Sequence, residues 1–122
     1  SLNFDMCSEG RGQKRWEDKE YVQLNVDELL QVAEFIYSPN IESLQFGYRG
    51  STKDKMIVFK RNLNGKYPDH IRIGIMKASE IMHSLYINRG KQVRLLSILL
   101  KTISAELELS ITDIITLLKS YS

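Results

Sequence analysis

The sequence predicts an α+β fold in which a twisted antiparallel β-sheet carries helices on one face. Residues of alternating polarity, typical of strands with one buried face, occur near the N-terminus and again between residues 44 and 87. Apolar residues at helical spacing occur in one segment between these groups and throughout the last third of the chain. Because strands and helices come in separate blocks, an antiparallel sheet is expected rather than alternating βαβ units.

Two strands and a helix are predicted first. Alternation at residues 2–7 and 21–26 predicts the strands, with a loop at residues 10–14 between them. Asp27 is the expected N-cap of the helix that follows. Pro39 ends this helix, because proline disfavours helical backbone at the residue before it. The apolar stripe of the helix comprises Leu29, Val32, Ala33 and Ile36.

Three or four strands follow, at residues 44–49, 55–61, 70–77 and 81–87. The last of these segments is also compatible with a helix. Asn64-Gly65 predicts a tight type I′ hairpin turn before the third strand, because both residues tolerate positive φ.

The last third of the chain predicts two helices, or one helix broken at residues 104–109. Ser110 and Asp113 have the spacing of a capping box, which predicts a helix start there. We expect a single domain, 1–122, with a core at residues 1–104 and an added helix at about 110–121. The apolar face before the break comprises Val93, Leu96, Leu99, Leu100 and Ile103.

The composition indicates a globular protein of a reducing, cytoplasmic setting. Of the 122 residues, 43% are hydrophobic and 26% are charged, which are ordinary values for a chain that buries a core. Cys7 is the single cysteine, so an internal disulfide and a cysteine-based zinc site are both excluded. No apolar run approaches the ~18 residues of a membrane span, so no membrane partner is expected.

The charge distribution is the main functional signal. Residues 47–77 contain eight Lys and Arg against two Asp, a net charge of +6 within a chain of net charge +2. Aromatic residues are interleaved with these cations on predicted strands, which favours single-stranded nucleic acid: cations follow the phosphates and flat rings stack on bases. The alternative interpretation is a solvated sheet face whose charged edges deter aggregation.

A second basic segment, residues 10–16, is predicted to be a mobile loop that closes on a phosphate chain; the alternative is an ordinary hairpin loop in which Trp16 packs on a neighbour. Together the two segments define the predicted nucleic-acid-binding residues. These are Arg11, Lys14, Arg15, Trp16, Tyr21, Arg49, Lys53, Lys55, Lys60, Arg61, Tyr67 and Arg72.

Catalysis is not expected, and neither is a metal or a cofactor. Cys7, His70 and His83 lack the spacing of a nucleophile–base pair. The acidic residues at 17–20 are interleaved with Lys19, which favours a solvated turn over a metal site. The alternative function is a protein-interaction or oligomerisation module that uses the sheet edge or the leucine-rich C-terminal helices. A homo-oligomer, dimer or tetramer, is expected as well.

Three segments carry a resemblance to a known group. They are Trp16-Glu17-Asp18-Lys19 with the strand and helix that follow, Phe46-Gly47-Tyr48-Arg49-Gly50 with Asp54-Lys55, and residues 71–87 leading into 93–103. Together they resemble small Whirly-like proteins of bacterial mobile elements, within the wider group of Whirly, PC4-like and PUR-α-like single-stranded nucleic-acid-binding folds. The resemblance implies a twisted antiparallel sheet, subunit contacts through helices, and bases splayed against the open edge of the sheet. It implies no catalysis.

Overall fold

The structure is a computed structural model that describes residues 2–10, 13–49, 55–61, 65–77 and 80–121. Two strands, one helix, four strands and two helices follow one another along the chain. The elements are β1 (Leu2–Gly10), β2 (Gln13–Leu24), α1 (Val26–Tyr37), β3 (Ser43–Arg49), β4 (Lys55–Arg61), β5 (Ile71–Lys77), β6 (Glu80–Ile87), α2 (Arg89–Leu107) and α3 (Ile111–Tyr121).

The predicted α+β class is confirmed. Strands β3, β4, β5 and β6 form an antiparallel four-stranded sheet in sequence order. Strands β1 and β2 pair with each other as a separate antiparallel hairpin. The prediction of a single sheet is therefore wrong, because the described strands form two separate sheets. The segment 81–87 is strand and not helix, because it pairs along its length with β5.

The N-terminal hairpin extends further than the sequence predicts. Strand β1 reaches Gly10 and β2 begins at Gln13, so Gly10, Gln13 and Lys14 lie in strands and not in the predicted loop. The two residues between the strands, Arg11 and Gly12, lie outside the described residues. A register shift allows this extension: Met6 pairs with Glu20, whereas Ser8 pairs with Arg15. Residues 16–19 consequently form a bulged part of β2, which alternation of polarity does not reveal.

The N-cap of helix α1 lies two residues before the predicted one. The side chain of Asn25 accepts a hydrogen bond from the Glu28 backbone N–H at 2.9 Å, and Glu28 Oε1 accepts one from the Asn25 backbone N–H at 3.0 Å. This reciprocal capping box makes Asn25 the N-cap, so Asp27 lies in the first turn. The predicted end is confirmed, because the helix stops at Tyr37 before Ser38 and Pro39.

The predicted tight turn between β4 and β5 is wrong. The two strands do form an antiparallel hairpin, but their last register pair is Arg61 with Ile71, so the connection covers residues 62–70. Asn64 lies outside the described residues. Pro68 explains the longer connection, since its missing N–H and fixed φ do not suit a strand that continues from Gly65.

One hydrophobic core joins the two sheets and the three helices. The ring of Phe59 on β4 is 1% exposed, meets Phe4 of β1 edge-on at 5.8 Å between ring centres, and lies 6.2 Å from Phe35 of α1. The predicted stripe of α1 is confirmed as buried. The same core includes Ile57, Ile71, Ile75, Leu99, Ile103, Ile114 and Leu118.

Two helices complete the chain, as the first of the sequence alternatives predicts. The hydroxyl oxygen of Ser110 accepts a hydrogen bond from the Asp113 N–H at 3.1 Å, which supports the predicted start of α3. Glu108 separates the helices with a left-handed backbone, φ 55° and ψ 35°. None of the described helices is both long and apolar enough to cross a membrane.

We expect the substitution Glu108→Gly to raise the free energy of unfolding by about 0.5–1 kcal/mol, because a side chain is strained in the left-handed region and glycine is not. Urea denaturation measures the change. Glu106→Gly is the matched control: Glu106 lies inside α2, where glycine should lower stability by about 1 kcal/mol. A loss of stability in Glu108→Gly would contradict the prediction.

Candidate nucleic-acid interface

The four-stranded sheet has two faces of different chemistry. One face packs into the core through Phe46, Ile57, Phe59 and Ile73. The opposite face, called here the open face, consists of the alternating residues between them. Its described members are Gln45, Gly47, Met56, Val58, Lys60, Arg72, Gly74, Met76, Ser84 and Tyr86.

A row of two cations and a tyrosine crosses one end of the open face. Lys60 of β4 lies directly opposite Arg72 of β5, and Arg72 lies directly opposite Tyr86 of β6. We call Lys60, Arg72 and Tyr86 the basic row. Lys60 is exposed, Arg72 is half-buried, and the Tyr86 side chain is 55% exposed. A space of about 370 Å³ is lined by the basic row together with Arg61.

The basic row is electrostatically unfavourable on its own. Directly opposed residues of an antiparallel pair have Cβ atoms about 4.5–5.5 Å apart, where like charges destabilise the sheet. Within the described part of the chain, neither Lys60 nor Arg72 contacts a carboxylate. A bound anion would remove the repulsion, so the row is suited to phosphate.

Arg61 borders the same space, but its guanidinium is used inside the protein. Its Nε donates to the carbonyl of Ile41 at 2.8 Å, and its Nη2 donates to the carbonyls of Ser38, at 2.8 Å, and Phe35. The guanidinium also lies 4.6 Å from the centre of the Phe35 ring. Burial, and then the charge of nearby Arg89, lower the pKa of Arg61. The guanidinium of Arg61 therefore donates to backbone carbonyls at and just after the C-terminal end of α1.

The remaining described cations on the central strands gather at the opposite end. Lys55 of β4 pairs in register with Lys77 of β5 and with Arg49 of β3. The side chains of Lys55 and Lys77 lie on the side of the sheet that faces the core. The Lys55 Nζ lies 4.9 Å from the ring centre of Tyr21, whose side chain is 51% exposed. Both lysines have interaction partners within the protein. The structure therefore does not join these cations to the basic row in one track.

Tyr67 lies in the connection that ends at β5, so it belongs to the same end of the sheet as the basic row. Its ring is 52% exposed and stacks on His70, with ring centres 4.8 Å apart and an angle of 15°. Lys66 Nζ lies 5.6 Å from the centre of the same ring. One face of Tyr67 is therefore covered by His70, while about half of the side chain stays exposed.

For the basic segment at residues 13–16 of the N-terminal hairpin, the structure describes the backbone alone. Lys14, Arg15 and Trp16 lie on β2 and not in the predicted mobile loop, and the description does not extend to their side chains. Arg11 and Lys53 lie outside the described residues, and so does the side chain of Arg49. Participation of these residues in binding stays a prediction.

Sequence reasoning missed Tyr86, which belongs to the basic row, and Arg89, whose charge acts on Arg61. Neighbouring residues of a strand face opposite sides of the sheet. Because residues 81–87 form a strand and Ile87 is buried, Tyr86 lies on the open face. Arg89 opens α2 and its Nη1 donates to Gln92 Oε1 at 3.2 Å, while Gln92 Nε2 donates to the carbonyls of Asp69 and Ile87. Arg89 lies outside the two basic segments of the sequence, so the local excess of charge does not indicate it.

The two histidines that the sequence singled out lie in different surroundings. His83 is buried on β6, and His70 stacks on Tyr67. Where side chains are described, no three His, Cys, Asp or Glu residues come close enough to hold a metal ion.

Comparison with known proteins adds no family to this description. No protein-family model matches the chain, no curated protein matches its sequence, and no solved structure matches its fold.

Proposed function

We propose that this protein binds single-stranded nucleic acid, without catalysis, on the open face of its four-stranded sheet. The observation that carries the proposal is the basic row: two cations opposed across β4 and β5, with an exposed tyrosine next to them. Phosphates would neutralise Lys60 and Arg72, and the Tyr86 ring offers a face on which a base can stack. An exposed sheet face suits an extended strand, whereas duplex readout requires an element that enters a groove.

The proposed site differs from the sequence-predicted set. It retains Lys60, Arg72 and Tyr67 and adds Tyr86. Arg61 is left out, because its donors already bind backbone carbonyls. The group around Lys55 and Tyr21, at the far end of the strands, is a second contact region only if a bound strand is long enough to reach it.

The test is a titration of fluorescently labelled oligo(dT) at several salt concentrations. We expect the double variant Lys60→Ala/Arg72→Ala to lose affinity by about tenfold or more at low salt. The slope of log affinity against log salt should become shallower by about 1.4, since each phosphate neutralised on a single strand contributes about 0.7.

The matched control removes the same two residue types from α2. Arg94 and Lys101 are exposed there, so Arg94→Ala/Lys101→Ala changes the net charge equally without touching the sheet. Equal losses in both double variants would mean that net charge, and not the basic row, determines binding. Absence of binding by the unchanged protein would end the proposal.

A second candidate function is self-association through α2 and α3. Exposed apolar side chains surround the connection of these helices, with exposures of 36% to 40%. Sedimentation at the same salt concentrations separates the candidates: a dimer or tetramer that is insensitive to salt, in a protein that does not bind oligo(dT), would favour this one. The side chains concerned are Leu107, Leu109, Ile111 and Leu117.

A further inference from the structure

A shallow depression lies on the open face beside the basic row. It lies between Val58 and Met76, with Gly74 at its floor, and its empty space of about 300 Å³ is open to solvent. Lys60 and Arg72 line it as well, at the end where they oppose each other. The depression is therefore apolar in the middle and cationic at one end.

Gly74 produces the depression, and the fold does not require a glycine there. A Cβ at this position would lie 3.7 Å from the His83 carbonyl oxygen and 3.8 Å from the Ser84 Cβ, which is ordinary van der Waals contact. The residue sits in the middle of β5, paired with Val58 and Ser84, in extended backbone that any residue adopts. A glycine within a strand costs stability, and such a glycine often marks close approach of a ligand.

The depression is matched to one unit of a nucleic-acid strand. Gly74 and Arg72 are two residues apart on β5, about 6.8 Å along the strand, which a nucleotide spans between its base and its phosphate. Val58 and Met76 offer apolar surface for the faces of a base, and the thioether of methionine adapts to rings of different size. The cationic end lies where the phosphate of that nucleotide would fall.

We infer that this depression receives one base of a bound single strand, above Gly74 and between Val58 and Met76, while Lys60 and Arg72 hold the adjoining phosphate. The inference rests on the proposed function and specifies it: a base enters the depression, in addition to a base that stacks on Tyr86. It selects single strands, because a base paired inside a duplex is not free to enter the depression.

Two oligomers of equal length and charge test the inference on the unchanged protein. One is oligo(dT), and the other is an abasic strand that retains the phosphates. We expect oligo(dT) to bind about tenfold more tightly, as one or more bases gain apolar contact. Equal affinities would overturn the inference and the stacking on Tyr86, and would leave standing the binding of phosphates by Lys60 and Arg72. Absence of binding to both strands would overturn the proposed function and the inference together.

A variant locates the effect in the depression. Gly74→Val fills the space with a residue that favours strands, so we expect it to fold and to lose the preference for oligo(dT) over the abasic strand. Gln45→Val is the control, since it places the same side chain at an exposed position of the open face on β3, outside the depression. If Gly74→Val still prefers oligo(dT) over the abasic strand, the base binds elsewhere. The same conclusion follows if Gln45→Val loses this preference to the same extent.

Discussion

The variant Phe59→Ala is expected to lose about 3–5 kcal/mol of unfolding free energy. The ring is buried and contacts Phe4 from the N-terminal hairpin and Phe35 from α1, so its removal leaves a cavity where three units of the fold meet. Each aromatic pair contributes about 0.5–1.5 kcal/mol beyond the area it buries. Because domains of this size are stable by about 5–15 kcal/mol in total, the variant should be close to unfolding at 37 °C.

Urea denaturation followed by circular dichroism measures the loss, and Phe59→Leu is the matched control. Leucine keeps most of the volume but removes both ring pairs, so it should cost less than half as much as alanine. A loss below about 1 kcal/mol in Phe59→Ala would contradict the packing of the hairpin and α1 against the sheet at this point.

The second large effect is a loss of stability on substitution of Arg61. It distinguishes a cation that stabilises the fold from the cations proposed to bind nucleic acid. We expect Arg61→Met to lose about 2–4 kcal/mol of stability, because the carbonyls of Phe35, Ser38 and Ile41 lose their donor while the apolar stem is retained. Arg61→Lys should lose nearly as much, since a single ammonium group lacks the planar fork that reaches several acceptors.

Lys60→Met is the neighbouring control on β4. Lys60 is exposed on the open face, so its loss should change stability by less than about 0.5 kcal/mol and should weaken binding to oligo(dT). At a temperature where both variants are folded, Arg61→Met should bind oligo(dT) nearly as well as the unchanged protein. The reverse pattern, a stable Arg61→Met that no longer binds, would place Arg61 in the interface.

Much of the fold was predictable because the relevant signals are local. Strand β4 has the bounds that its polarity indicates, and the stripe of α1 is buried as its spacing predicts. The errors lie where two equivalent local signals compete. Both Asn25 and Asp27 are good capping residues, and only the reciprocal bond with Glu28 selects Asn25. Asn64-Gly65 is a strong turn signal, but the pairing of β4 with β5 stops at Arg61.

The candidate site was predictable only in part. The sequence identified Lys60 and Arg72 as cations of interest, but parity within one strand does not tell which residue lies opposite. The pairing of β4 with β5 places Lys60 opposite Arg72, and the pairing of β5 with β6 places Tyr86 opposite Arg72. Tyr86 was missed because residues 81–87 were also compatible with a helix, and its place was not visible before this pairing was known.

The sequence by itself determined the α+β class, the excess of positive charge on the central strands, and the start and end of most elements, because periodicity and composition act over neighbouring residues. Only the tertiary structure decided how that charge is used. In the folded chain, Lys60 lies opposite Arg72, with Gly74 and Tyr86 beside them. Arg61 instead donates to carbonyls at the end of α1, and Lys55 pairs with Lys77 at the far end of the strands. The physical reason is that cross-strand register and burial set the partners of a charge, and both depend on residues far apart in the chain.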